Sequence, residues 1–359
     1  MSEQEAPMSE AENDSREPAV GFHHVGPIPE FLRTHDMSLI VTTYQAQRVL
    51  VFSPKENRLS MLMRIFERPT GLWVEPDRMA MVTKTQIWMF STVRDVWDEK
   101  GERQPHDLTY VPRRSFVTGD VAGHEITLVG NDCVFINTRF SCLARPSDRY
   151  SFEPIWKPRF VTEIVAEDRC HLNGMAVQNG NIRFLSALGE TNSAGGWREK
   201  KRTGGVLIDT TSGEVMCRGL CMPHSPRIHA GRLWVLESGF GELQMVDPKS
   251  GVRETVIRLP AYLRGLEFYD RFAFIGMSQM RETNVFGGLP IEGMYPALKC
   301  GIAIVDITSG QLVGMIEFTK GIEELFEVRI LPKVLVPHII GFEADTIQGL
   351  FSLPPDVKL

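Results

Sequence analysis

Six side chains recur at one phase of a repeating strand pattern, and several are of types that bind metals or move protons: Thr70, His124, Asn173, His224, Arg264 and Glu324. Two neutral imidazoles, an amide oxygen and a carboxylate can hold a divalent cation, zinc or iron(II) where both histidines ligate and calcium where oxygens dominate. His124, Asn173 and His224 are therefore the candidate metal ligands. A bound ion would acidify its water or polarise a carbonyl, which leaves hydrolysis, elimination, isomerisation and oxygenation open. Arg264 cannot ligate a metal, but its fork of donors suits a carboxylate or phosphate. Glu324 and His171 are candidate proton carriers. Two plainer readings stand beside these: Glu324 as the ion-pair partner of Arg264, and the histidines as hydrogen-bond partners of strand ends. His106 and His229 read as loop or surface residues.

The elements that would bring these residues together are short strands. Three segments share one phrase: Val206-Leu-Ile-Asp-Thr-Thr-Ser-Gly213, Gln244-Met-Val-Asp-Pro-Lys-Ser-Gly251 and Ala303-Ile-Val-Asp-Ile-Thr-Ser-Gly310. Each is a strand ending in Asp, a turn closed by Gly, and a further strand. Asp can bond its own backbone two residues on, and Gly supplies the positive φ of the turn. Val51-Phe-Ser-Pro-Lys-Glu-Asn57 is a degenerate copy.

A second phrase, two apolar strands about a turn, starts at Thr70, His124, Asn173, His224 and Arg264, at spacings of 54, 49, 51 and 40 residues. Spacings of this size fit propeller blades, and helical periodicity is weak. The expected fold is all-β: a single β-propeller of six blades spanning 21–359, with 1–20 an acidic tail lacking structure. Strands over 38–44, 48–52 and 59–66 lack an innermost partner, while 327–331 is a strand without partners. The N- and C-terminal strands therefore close one blade, removing exposed sheet edges. Seven blades stay open because 334–353 is unassigned. Innermost strands are equivalent around the axis, so the six positions above should ring one channel mouth.

Loops near that mouth carry Arg139, Arg149, Arg198, Lys200, Lys201, Arg202 and Arg281. These would make the mouth basic although the chain has a net charge of −6, drawing a small anionic ligand to it. Arg139, Trp197, Arg198, Arg281 and Thr70 are the candidate substrate-binding residues, Trp197 beside Gly195-Gly196 being either a hinged lid or a core cap. No global basic field exists to hold nucleic acid or a membrane surface, and no apolar run is long enough to span a bilayer. Six cysteines without a CxxC pair fit a reducing cytoplasm. GxSxG, GxxxxGK[ST], a strand-following GxGxxG and HExxH are all absent, so no nucleotide cofactor is expected.

Tyr110-Val-Pro-Arg, Asn137-Thr-Arg-Phe-Ser-Cys-Leu, Asp168-Arg-Cys-His-Leu-Asn-Gly, Gly195-Gly-Trp-Arg-Glu, Met222-Pro-His-Ser-Pro-Arg and Leu263-Arg-Gly-Leu resemble a bacterial family of conserved hypothetical proteins. That family is catalogued as a propeller-type domain of unknown function, and the resemblance implies no established reaction. Asn173-Gly174 gives a more distant likeness to calcium-dependent lactonases and strictosidine-synthase-like six-bladed propellers, where an Asn-Gly at an inner strand supplies an oxygen ligand. Histidines at 124 and 224 depart from that pattern. The expected function is a metal-dependent enzyme acting on a small anion at the channel mouth; the alternative is a non-catalytic propeller binding a protein or small ligand on the same face.

Overall fold

A computed structural model describes residues 20–94, 104–280 and 287–341. The expected tail falls almost wholly within 1–19, outside the described residues. The described chain forms six small antiparallel sheets in a ring, a six-bladed β-propeller. From the axis outward, blade 1 runs Glu327–Pro332, Met37–Thr43, Arg48–Lys55, Arg58–Ile65. Blade 2 runs Leu72–Val74, Arg78–Val82, Gln86–Val93, Leu108–Val117, and blade 3 Gly123–Val129, Asp132–Asn137, Cys142–Arg145, Glu153–Trp156. Blade 4 runs Leu172–Gln178, Asn181–Ala187, Gly205–Asp209, Val215–Leu220, and blade 5 Pro223–His229, Arg232–Glu237, Glu242–Val246, Arg253–Arg258. Blade 6 runs Tyr262–Tyr269, Phe272–Ser278, Gly301–Asp306, Gln311–Lys320.

The two chain ends do close blade 1: Ser38 pairs with Leu331 and Thr42 with Glu327. Two edges are extended further. Gly21–Val25 adds outside blade 6, and Pro337–Ile339 lies parallel to the outer strand of blade 2. The latter accounts for the described part of 334–353 without a seventh blade.

The shared Asp phrases behave as their chemistry requires. Asp209 Oδ1 accepts from the Thr211 backbone N–H at 2.8 Å, Asp247 Oδ1 from that of Lys249 at 3.0 Å, and Asp306 Oδ1 from that of Thr308 at 2.9 Å. Each turn ends in a glycine with φ near +70°, a conformation costly for other residues.

The core is divided into wedges, because successive strand residues point to opposite faces. Leu39 and Val41 pack toward blade 6, whereas Ile40 packs toward blade 2. Phe135 faces blade 2, while Val134 and Ile136 face blade 4. Six clusters of this kind fill the six interfaces, each buried Leu, Ile or Phe contributing about 1.5–3 kcal/mol. A helix, Ile28–Thr34, seats Ile28, Phe31 and Leu32 in the blade 6–blade 1 wedge.

Near the axis a second device joins the blades. At every interface one side chain donates a hydrogen bond to a backbone carbonyl at the start of the next inner strand. The six are Thr42 to Thr70 O, Thr70 to Gly123 O, Thr138 to Leu172 O, Asn173 to Pro223 O, Ser238 to Leu263 O and Ser278 to Leu325 O, at 2.6–3.1 Å. Removing one donor leaves a buried carbonyl unpaired, which costs about 1–3 kcal/mol. Thr138→Val is accordingly expected to lower unfolding free energy by about 2 kcal/mol in a urea titration, whereas valine at exposed Thr211 should change it little.

Candidate functional site

One end of the channel opens into a cavity of about 360 Å³. Its walls come from the strand-start ring and from residues two positions earlier. Arg68, His171 and Tyr262, which precede Thr70, Asn173 and Arg264 by two, all face it, as do Thr70, His124, Arg264 and Glu324. At four of these earlier positions, Arg68, Ala122, His171 and Met222, a non-glycine residue has φ between +43° and +55°. Left-handed backbone at an L-residue costs roughly 1–2 kcal/mol, so the repeat re-aims these side chains against local preference. The ring is tight here: a Cβ at Gly71 would lie 2.3 Å from the His124 carbonyl oxygen.

Two of the three histidines are fixed alike. His124 Nδ1 donates to the Ala122 carbonyl at 2.9 Å and meets Thr138 Oγ1 at 2.7 Å. His224 Nδ1 donates to the Met222 carbonyl at 2.9 Å and meets Ser238 Oγ at 2.9 Å. Carbonyls only accept, so the Nδ1 proton is specified and Nε2 keeps its lone pair. Burial, reinforced by the neighbouring cations, holds both imidazoles well below the usual histidine range, and they are neutral at pH 7. His171 instead sets Nδ1 on the Asp168 carboxylate at 2.9 Å, leaving Nε2 buried without a hydrogen-bond partner. Its ring centroid lies 4.9 Å from that of His124 and 4.5 Å from that of Trp197.

Asp168 is the organiser of that corner. Besides His171 it accepts the Trp197 indole N–H at 3.0 Å, and Arg198 approaches it at 3.7 Å. Trp197 is 1% exposed and belongs to an apolar cluster with Leu188, Met222 and Tyr262. It is a wall of the cavity held at both faces, not a free flap. Arg198 stacks over it at 4.4 Å.

Arg264, 5% exposed, pairs with Glu324 at 3.0 Å and lies over the Phe326 and Tyr262 rings at 5.0 and 5.6 Å. Arg139 reaches the cavity paired with Asp120 at 3.2 Å. Arg149, Lys200, Lys201 and Arg202 are not among the cavity walls, and Arg281 lies outside the described residues. Of the expected rim cations Arg139 and Arg198 do face the cavity, and Arg68, Lys84 and Arg264 join them.

Of the three expected ligands, His124 alone lines the cavity. Asn173 Nδ2 stitches blade 4 to blade 5 through Pro223 O, and its Oδ1 accepts from Ser186 Oγ at 2.6 Å. Neither it nor His224 lines the cavity. Thr70 does, but its hydroxyl is committed to Gly123 O. Among the described residues no group of three or more His, Cys, Asp or Glu side chains is arranged to hold a metal ion.

Further along the inner strands, one to five residues past the ring positions, charges meet across the axis. Arg227 of blade 5 pairs with Glu125 of blade 3 and, at 3.4 Å, with Glu327 of blade 1. Arg329 meets Glu327 at 3.4 Å, Glu125 at 3.5 Å and Glu267 of blade 6 at 2.7 Å. Together these five side chains form a charge girdle. Sequence reading missed it, along with Asp168, Arg68 and the aromatic walls Tyr44 and Phe326. The signal for Arg68 and Tyr262 was available, since both occupy the phase of His171.

A six-bladed propeller with a basic, histidine-walled mouth defines the class. The chain belongs to the family described as a domain of unknown function, DUF4915, whose model matches residues 27–340. None of the curated proteins matches. Among solved structures, a chain of a nidogen/laminin complex is similar with a TM-score of 0.50 at 11% identity, over 83% of this chain and 98% of that one. A virginiamycin B lyase from Staphylococcus aureus aligns over 84% of this chain and 99% of its own at 11% identity, with a TM-score of 0.38. At 11% identity the likeness to the first of these is one of fold alone. No helix among the described residues is long and apolar enough to cross a membrane, and the six cysteines are free.

Proposed function

We propose that the mouth cavity is the active site of an enzyme in which His171 accepts a proton during reaction of a small anionic substrate. The observation that carries this reading is the His171–Asp168 pair, with Nδ1 held by a carboxylate and Nε2 buried and unbonded at a cavity wall. An imidazole so oriented offers its lone pair to a substrate C–H, O–H or water, and the carboxylate stabilises the imidazolium that forms. Arg264 and the rim cations would hold the substrate anion and steady negative charge that develops on it. Elimination, isomerisation and hydrolysis all use such a base.

The test is a screen of pooled small carboxylates, phosphates, esters and lactones in D2O, followed by proton NMR. Turnover or C–H exchange by the wild type is expected to fall by about 10²–10⁴ in His171→Gln, with Asp168→Asn impaired in the same direction. Binding of anions without any turnover in the wild type would leave a ligand-binding scaffold instead.

A metal-assisted version has one observation in its favour: His124 and His224 both anchor Nδ1 and present Nε2, the arrangement that orients ligating histidines. Zinc or iron(II) would be the fitting ions. Elemental analysis of untagged protein would then find near-stoichiometric metal that disappears in His124→Ala, His224→Ala. A wild type free of metal after reconstitution would sink this version and leave the His171 chemistry standing.

A further inference from the structure

We infer that the anion bound in this cavity is a flat organic monocarboxylate, and that Arg68 is the residue that anchors it. The inference rests on the reading of the mouth as a substrate site and names the substrate class. It begins from charge. Five cationic side chains face the cavity, and four of them already have a carboxylate: Lys84 with Glu67 at 3.2 Å, Arg139 with Asp120 at 3.2 Å, Arg198 with Asp168 at 3.7 Å and Arg264 with Glu324 at 3.0 Å. Arg68 has no carboxylate partner among the described residues. One uncompensated positive charge matches one negative charge on the ligand. A dianion would bring a second charge to groups that are already neutralised, at a desolvation cost nothing there repays.

Position supports the same assignment. Arg68 stands at the rim, two residues before Thr70, with φ of +43°. Phe66, 5% exposed, fixes the chain just before it. Its guanidinium lies over the Tyr44 ring at 5.5 Å, which keeps the charge aimed along the wall and leaves its outer edge for a carboxylate.

The shape of the ligand follows from the walls. Tyr44 and Phe326 tilt together at 6.0 Å between centroids, and Phe326 continues to His124 at 5.1 Å. Both aromatics belong to the blade 1 side, and in a ring of six blade 1 stands across the axis from blade 4, which contributes Trp197 and His171. The Tyr44 and Phe326 rings on one side and the His171 imidazole on the other, backed by Trp197, favour a planar unsaturated body, through offset or edge contacts that a saturated, branched one lacks. With its carboxylate on Arg68, such a molecule extends inward toward His171.

Isothermal titration with cinnamate, 3-cyclohexylpropionate, fumarate and inorganic phosphate tests this. Cinnamate is expected to bind about tenfold or more tighter than the other three, a difference of about 1.4 kcal/mol. Arg68→Gln should weaken cinnamate about tenfold, and Arg68→Lys less than Arg68→Gln. Because Arg68 is exposed, both variants should keep the wild-type Tm. Fumarate or phosphate binding as tightly as cinnamate, an unchanged affinity in Arg68→Gln, or no binding of any probe would each overturn the inference. Its failure is separable from that of the catalytic reading. Cinnamate held through Arg68 with no turnover of any pool removes the enzyme and keeps the anchor; turnover abolished by His171→Gln but indifferent to Arg68→Gln does the reverse.

Discussion

Arg227→Met is expected to destabilise the protein by about 3–5 kcal/mol, the largest effect of any single substitution considered. The arginine, 9% exposed, donates to the backbone carbonyls of Leu266, Met175 and Pro226, at 2.8, 3.1 and 2.9 Å. It also neutralises Glu125 and Glu327 at the axis. Methionine fills much of the volume but leaves two buried carboxylates facing each other across a narrowed charge balance. The cost arises from stranding those partners rather than from the worth of the pair itself. Replacing Arg227, Glu125 and Glu327 together by apolar residues of similar size should therefore cost less than the single change. Urea denaturation with a wild-type slope checks both; a loss below about 1 kcal/mol in Arg227→Met would show that the girdle is not an energetic keystone.

The second large effect is a dependence on pH. Three carboxylates, Glu125, Glu267 and Glu327, share two guanidiniums, Arg227 and Arg329, so the girdle is one negative charge in excess. Burial pushes Glu327 up to about 7 against the pull of Arg329 and Arg227, with Glu125 and Glu267 pushing the same way as burial. A carboxyl raised in the folded state binds its proton more tightly there than in the unfolded chain. Its contribution is full below the unfolded value near 4.5 and is lost as pH rises toward 7, at up to about 1.4 kcal/mol per pH unit. Glu327→Gln keeps the shape and removes the proton uptake. Its stability relative to wild type should climb between pH 5 and pH 7.5 and level off above. A flat difference across that range would mean that the extra charge is settled elsewhere in the girdle.

Much of the fold could be read from residue patterns because its determinants are local. The Asp-to-Gly turns at 209–213, 247–251 and 306–310 carry their own hydrogen bonds, and the alternation around Ile40, Phe135 and Phe274 assigns each side chain to a wedge. The closure of blade 1 followed from counting strands. The site was less legible for a physical reason. Of the positions that strand phase aligned, Thr70, His124, Arg264 and Glu324 line the cavity while Asn173 and His224 do not, because phase does not say which side chains are consumed by the ring. Thr70 and Asn173 are spent on stitches, whereas the hydroxyls of Thr138 and Ser238 take that duty in blades 3 and 5 and leave the histidines unencumbered. Asp168 and Arg68 owe their places to left-handed backbone or to partners far away in sequence. The charge girdle was hidden because its members come from four blades and pair only once the ring has closed.

The girdle of charges also bears on the ring as a whole. Its five side chains tie the inner strands of blades 1, 3, 5 and 6 to one another across the axis. Those blades are therefore held from within as well as by the apolar wedges between neighbours, and a strain on one is shared with blades it does not touch edge to edge.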